Sequence, residues 1–501
     1  MTDAENPHDR PAGVSRRAVV RGAAWTAPAV VMAVAVPTAS ASGCDVTISD
    51  PAPLRPYQQG QVVSVDVHQA GGFDLVLTGG ATFLDGSTTQ HSSSSTTAVA
   101  VIAGATSSTL TVTLSGNGAC TASVVLPVVG NPVPAARPGL VAGANSGDHG
   151  GAGAAGIVSG FQPSDAWIVW GQHDGSAIRA AALAPSGTGG LGAVVLADNS
   201  VRLNTGSSIL TMPNPDGKTW VDIALVSGNP VTGEAKIMLL SEDGRVSVAT
   251  ATPSGFDTVA DAGLPSDAFV VSMTVFGNNG GPALGMAVDT KHRVWTGIGS
   301  GSATQVPLSG LKVVEISANL TDFYLRVEDT GRWVSRNGGA SVKMSTGAPL
   351  QGVYGLAKGN IATRTMAFLT TPSWNGASYF SGVYVTGPND GKALDFAAPE
   401  NDVFTSAHPS RSEWGANRGP FGGFAKITAL VLGDGTAKAL NADGHIWTSG
   451  VSTDGASGDS TLPAGSTAPV NVRCTDGAGN PLTGVTGLAA SSGRTFLAFG
   501  S

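Results

Sequence analysis

The chain has 501 residues, with 35 acidic against 27 basic side chains and a formal charge of −8. At 12% charged and 42% apolar, it can build real cores, and it lacks the charge density to hold a nucleic acid or an anionic membrane by bulk electrostatics. Three cysteines exclude a disulfide scaffold, and 70 glycines among many Ser, Thr, Val and Ala suit short strands and tight turns.

Residues 1–14 are polar and lead into Ser15-Arg16-Arg17-Ala18-Val19-Val20-Arg21. An apolar run of 14 residues, Ala23 to Val36, follows and ends in Ala39-Ser40-Ala41. A basic segment, a short apolar run and a small-x-small site make an export signal over residues 1–41. The run is too short to span a bilayer, and no other stretch reaches ~18 apolar residues, so no transmembrane segment is expected. The Arg16-Arg17 pair resembles a twin-arginine signal, with an ordinary Sec signal as the alternative. Either places the chain outside the cell, secreted or surface-associated, beginning at Ser42 with a charge of −9. Ala41-Ser42-Gly43-Cys44 loosely resembles a lipoprotein box that would acylate Cys44, although that box wants a larger aliphatic residue where Ala41 stands.

Residues 42–130 alternate apolar and polar positions with a period of two. Strands are expected at Gln61–Val67, Phe73–Leu77, Thr97–Ile102, Leu110–Leu114 and Ala122–Leu126. The spacing predicts a β-sandwich and resembles the immunoglobulin-like modules of exported bacterial proteins, without a Trp between Cys44 and Cys120. In an oxidising exterior Cys44 and Cys120 are candidates for a disulfide, which would be worth ~4 kcal/mol in the chain-entropy account; acylated Cys44 with an unbridged Cys120 is the competing reading. Ser92 to Ser95, beside His91, reads as a loop tip.

Residues 131–160, with Asn131-Pro132-Val133-Pro134, Arg137-Pro138 and then mostly Gly and Ala, read as an extended linker. His149 lies there without partners at ligand spacing, so no metal site is expected.

From 161 to 501 a unit repeats: strand, tight turn, strand. Its copies carry Ala197-Asp198-Asn199-Ser200-Val201, Ser241-Glu242-Asp243-Gly244-Arg245-Val246, Asp289-Thr290-Lys291-His292-Arg293-Val294-Trp295, Glu328-Asp329-Thr330-Gly331-Arg332-Trp333 and Asp443-Gly444-His445-Ile446-Trp447. A looser copy reaches Val383. From Val201 through Val246, Val294, Trp333, Val383 and Ile446 the steps are 45, 48, 39, 50 and 63 residues. A period near ~50 with three or four short strands is propeller-like. The last copy, Val485 to Phe499, stops half-way through a unit, and Ala166-Trp167-Ile168-Val169-Trp170-Gly171 supplies the missing half at the array's start. A unit built from both ends would close a ring of seven and remove two sheet edges.

The pattern of an apolar strand, Asp-Gly and Val-x-x-Trp-Gly resembles the regulator-of-chromosome-condensation repeat. Asp443-Gly444-His445-Ile446-Trp447-Thr448-Ser449-Gly450 and Arg293-Val294-Trp295-Thr296-Gly297 match it well, whereas Asn199, Thr330 and Ser492 depart from the ideal turn. The resemblance covers roughly 340 residues and implies a seven-bladed β-propeller that serves as a docking ring. The family prototype's exchange of guanine nucleotide on a small GTPase, and its contact with chromatin, do not carry over to an exported acidic chain. The expected architecture is all-β: an N-terminal β-sandwich, then a seven-bladed propeller over residues 161–501 closed by shared N- and C-terminal strands.

No Gly-x-Ser-x-Gly, His-Glu-x-x-His, Cys-x-x-Cys or phosphate-cradling loop occurs, and no cofactor is expected. Ser309-Gly310-Leu311-Lys312 spells Ser-x-x-Lys without its companion motifs. Asp243, Asp289, Asp329 and Asp443 recur in register as turn formers. Trp295, Trp333 and Trp447 recur too, which predicts packing between units. Trp374 and Trp414, with Arg418, sit in loop-like insertions, where aromatic side chains beside Asn, Glu and Arg suit a binding face. The long last step marks residues 388–424 as the candidate insertion. Cys474 is the odd cysteine and is expected to be buried or a minor free thiol. The sequence therefore points to a non-catalytic protein that docks another protein, with a cell-wall or environmental glycan as the alternative partner and a hydrolase as a third reading.

Overall fold

A computed structural model of the chain describes most of residues 46–143, residues 158–163, most of 177–328, isolated strands between 333 and 396, and most of 427–451 and 467–500. Every regular element among them is a β-strand. The export segment, Cys44, His149, the Ala166–Gly171 copy, Trp414 and Arg418 lie outside the described residues.

The N-terminal part is two four-stranded sheets. One orders Val46–Ile48, Gln61–Val67, Thr96–Ile102 and Thr82–Phe83; the other orders Thr89–Ser92, Phe73–Thr78, Ser108–Leu114 and Thr121–Leu126. Alternation dictates what each strand buries: Phe73, Leu75 and Leu77 turn inward while Asp74 and Thr78 face water. They meet Val63, Val65, Val67, Val99 and Val101 of the other sheet in one apolar cluster that also takes Leu110, Val112 and Leu126. The five expected strands are present, each within one or two residues of its expected ends, and three short strands join them. The Ser92 expectation fails. Ser92 ends a strand, is buried, and its hydroxyl lies 2.5 Å from that of Thr97; the loop begins only at Ser93.

Among the described residues, seven further antiparallel sheets of three or four strands follow, numbered I to VII. Sheet I holds Ile178–Leu183, Gly192–Leu196, Val201–Asn204 and Ile209–Met212. Sheet II holds Trp220–Gly228, Ala235–Ser241, Val246–Thr252 and Gly255–Asp261, and sheet III holds Val270–Phe276, Leu284–Asp289, Val294–Ile298 and Thr304–Gln305. Sheet IV has Val313–Ala318, Phe323–Val327 and Trp333–Ser335; sheet V has Val353–Ala357, Met366–Thr370 and Val383–Thr386. Sheet VI holds Ile427–Leu432, Thr436–Asn441, Ile446–Val451 and Thr467–Arg473.

The second strand of several sheets is apolar without alternation. Gly192–Leu196 and Phe323–Val327 are buried at every position, because sheets cover both faces. Apolar clusters join sheets I and II, II and III, III and IV, VI and VII, and VII and I. The turns between second and third strands need one residue in the left-handed region. Gly244 (φ 74°) and Gly444 (φ 78°) supply it where the sequence reads Asp-Gly, while Asn199 and His292 (φ 64° each) supply it elsewhere. Asn199, which departs from the ideal turn in sequence, therefore still performs the turn's conformational task.

Sheet VII corrects the sequence reading. It orders Val158–Pro163, Gly139–Gly143, Phe496–Gly500 and Val485–Ala490, so two of its strands come from the stretch expected to be linker. Ala142 pairs with Phe496, Val141 with Leu497 and Leu140 with Ala498. Gly139-Leu140-Val141-Ala142-Gly143 has weak strand propensity of its own. It is extended because Phe496–Gly500 gives it a ladder to complete, a tertiary effect that local pattern does not carry.

Candidate functional site

The turns between second and third strands of sheets II, III and IV lie at the end where each first strand begins. Trp220 pairs with Ser241, Val270 with Asp289, and Val313 with Val327. This end gathers the best-defined polar chemistry of the described residues.

Asp289 is its centre in sheet III and is fully buried. Its Oδ1 accepts from the backbone N–H of Lys291 at 2.9 Å and of Arg293 at 3.0 Å. Its Oδ2 accepts from Arg293 Nε at 2.7 Å and Trp295 Nε1 at 3.1 Å. A buried carboxylate is tolerable only when so fully bonded. Asp243 does a smaller version of the same work in sheet II: its Oδ1 accepts from the Ser241 hydroxyl and from the Arg245 N–H. Asp198 holds Ser200 through both N–H (2.9 Å) and hydroxyl (2.7 Å), and those bonds keep its carboxyl below the ordinary range. Each of these acids bonds within its own turn and stabilises it. Asp329 and Asp443 lie outside the described residues.

Asp267 is exposed and faces Lys291 Nζ at 2.6 Å and the Arg293 guanidinium at 3.1 Å. The Lys291 hydrogen bond, with Arg293 second, holds its carboxyl at about 2. Arg293 also lies 5.2 Å over the Trp295 ring. Trp295 itself is buried in the cluster joining sheets II and III, so it packs between units. Trp447 is half-buried in sheet VI with the Arg473 guanidinium 6.0 Å from its ring. The side chain of Trp333 lies outside the described residues.

Of the three candidate binding residues, Trp374 is on a two-residue strand, Ser373–Trp374, whose partner is Tyr379–Phe380, with Trp374 opposite Tyr379. This small hairpin is inserted between the second and third strands of sheet V. Its side chains, and Trp414 and Arg418, lie outside the described residues. Cys474 is a buried thiol in the cluster with Leu440, Ile446 and Phe496. Among the described residues, no group of three or more His, Cys, Asp or Glu could hold a metal, and no helix is long and apolar enough to cross a membrane.

Sequence reasoning missed a second polar cluster at this end, where the N-terminal sheets meet the repeat. Arg326, in the second strand of sheet IV, is 1% exposed. Its Nε donates to Glu315 Oε2 at 2.8 Å and its Nη2 to the Tyr57 carbonyl at 3.0 Å. A signal was present: an arginine inside Phe323-Tyr324-Leu325-Arg326-Val327, otherwise wholly apolar, with Glu315 opposite it on the neighbouring strand.

The chain matches no protein-family model and no curated protein. Among solved structures it is similar to Prp20p from Saccharomyces cerevisiae, reported with its binding to Gsp1p and histones, at 12% identity and a TM-score of 0.47 over 74% of this chain and 93% of that chain. The same yeast protein, as RCC1 (Prp20) bound by Kap60, gives 12% identity and a TM-score of 0.47 over 74% of this chain and 90% of that one. Human WBSCR16 gives 14% identity and a TM-score of 0.44 over 73% and 99%.

Proposed function

We propose that the chain is an exported, non-catalytic docking protein in which an immunoglobulin-like β-sandwich precedes a seven-bladed β-propeller closed by strands from both ends of the array, and that loops of the ring hold a protein partner. The observation that carries this reading is the pairing of Gly139–Gly143 with Phe496–Gly500. It joins the beginning of the array to its end in one sheet, as a ring requires and a linear stack does not. Rigid rings without exposed sheet edges present loops in fixed positions.

Export rests on the Ser15–Ala41 segment. In the oxidising exterior that this segment implies, Cys44 and Cys120 would pair, while the third cysteine, Cys474, stays a buried thiol in the core of sheets VI and VII. The docking loops are the insertions that carry Trp374, Trp414 and Arg418.

The test is capture by the mature protein from its own cell envelope and medium, with chemical cross-linking, set against a Trp374→Ala/Trp414→Ala double variant. The expected result is one predominant cross-linked protein, lost in the variant. A glycan retained by the wild type and lost in the variant would replace the protein partner by a carbohydrate. Equal capture by both proteins would remove these loops from the proposal.

A further inference from the structure

The N-terminal sheets do not hang from a tether. Their chain touches the turn end of sheets II, III and IV at separate places. Beside sheet II, the Asn131 N–H donates to the Glu242 carbonyl at 3.3 Å, and Asn131 Nδ2 donates to the carbonyls of Ser241 at 3.4 Å and, in sheet III, Val270 at 2.8 Å. Asn131 is 5% exposed. At sheet III, Arg55 Nη1 donates to the Val271 carbonyl, and the Tyr57 ring lies 5.5 Å from that of His292. At sheet IV, Arg326 reaches the Tyr57 carbonyl while its Nε holds Glu315.

Two features mark this as a built contact. Tyr57 has φ 61°, a conformation that a bulky side chain adopts only when its surroundings impose it. Its own N–H is tied back to the Gly104 carbonyl of the N-terminal sheets, so the bend is braced from both sides. Arg326 has a guanidinium out of contact with water, whose burial is costly unless every direction is bonded. Glu315 satisfies one side from within sheet IV, and the Tyr57 carbonyl satisfies the other from the N-terminal sheets. With those sheets lifted away, that side of Arg326 returns to water.

We infer that the N-terminal sheets are a fixed cap clasped across the turn end of sheets II, III and IV, with Arg326 and Asn131 as the two polar pins, so that these parts open and close as one cooperative unit. That surface of the repeat is then already occupied by the chain itself. A partner that needs it must displace the cap, and one that leaves the cap in place must use other surfaces. The inference does not depend on the nature of the external partner.

Hydrogen exchange on the full chain tests it. In the wild type, the Asn131 amide and the Leu54–Gln58 segment should be protected to the same degree as neighbouring sheet III, since a clasped segment exchanges only when the unit opens. In Arg326→Met, exchange at Leu54–Gln58 should rise roughly tenfold or more while Leu325 and Val327 stay protected, which separates loss of the clasp from melting of the strand. Asn131→Ala, a change outside the sheets, should release Gly130 to Val133 to proteolysis and split thermal unfolding into two transitions. If Arg326→Met fails to fold, Asn131→Ala and the wild-type profile still decide. Wild-type exchange at Leu54–Gln58 as fast as in an open loop, or unchanged exchange and a single transition in both variants, would overturn the inference.

Discussion

Asp289 shows how much one side chain can organise. It accepts from four buried or partly buried donors: two backbone amides, Arg293 Nε and Trp295 Nε1. Replacing it by alanine strands them together, and the expected loss is roughly 3 kcal/mol of unfolding free energy, measured by urea denaturation. Asp267 is a different case, because it is exposed and its partners are screened. Its carboxyl titrates at about 2 in the folded chain and at 3.8 when unperturbed. The folded state thus prefers the ionised form, so the contribution is complete above about pH 4 and disappears as pH falls toward 2. Asp267→Asn should therefore narrow its gap to the wild type in denaturant midpoint across that window. Tyr57 behaves in the opposite sense. Burial first, and Glu328 second, push its phenol up to about 12 from 10.0. Between those values the folded chain keeps a proton that the unfolded chain has released, so stability falls as pH rises through that range. A phenolate absorbance titration should show a late phase near pH 12 that Tyr57→Phe lacks.

At the scale of elements, the hairpins were legible because their determinants are local. Asp243-Gly244 and Asp443-Gly444 state both the turn and its register within two residues, and the flanking apolar runs state the strands. The price of substitution at such a turn is set by what lies above it. A Cβ on Gly244 would fall 2.6 Å from the Phe269 ring at a backbone φ of +74°. Gly244→Ala is expected to lose about 1–3 kcal/mol in urea unfolding, combining backbone strain with overpacking; a loss near zero would mean that Phe269 moves freely, contrary to its packing here. What the sequence withheld at this scale was contact between elements far apart. Arg326 and Tyr57 are 269 positions apart. Nothing near Arg326 names its acceptor, because the acceptor is a backbone carbonyl that any residue at position 57 would provide. The candidate binding residues have the same difficulty: the sequence around Trp374 is loop-like, and the structure gives it a short paired strand, a contact between Ser373–Trp374 and Tyr379–Phe380 that no periodicity announces.

At the scale of the molecule, the need for a shared sheet was readable from a last repeat that stops half-way, whereas the identity of the joining strand was not. Trp167 to Gly171 carries the stronger local pattern, yet Gly139–Gly143 pairs with Phe496–Gly500, since the ladder and the apolar cover come from the partner strand. Phe496 is fully buried among Leu440, Ile446 and Cys474, with Leu140 packed against the same cluster and Lys438 Nζ 4.2 Å from its ring. Phe496→Ala should lose about 3–5 kcal/mol from the cavity alone. The pairing makes a more discriminating claim possible. A chain ended before Phe496 leaves Leu140, Val141 and Ala142 without their partners Ala498, Leu497 and Phe496, although they lie more than 350 positions earlier. Their amide protection should vanish together with that of Val485–Ala490, while Phe73–Leu77 in the N-terminal core keeps its own. Retained protection at Val141 in the shortened chain would show that the two ends of the array are held by something other than this sheet.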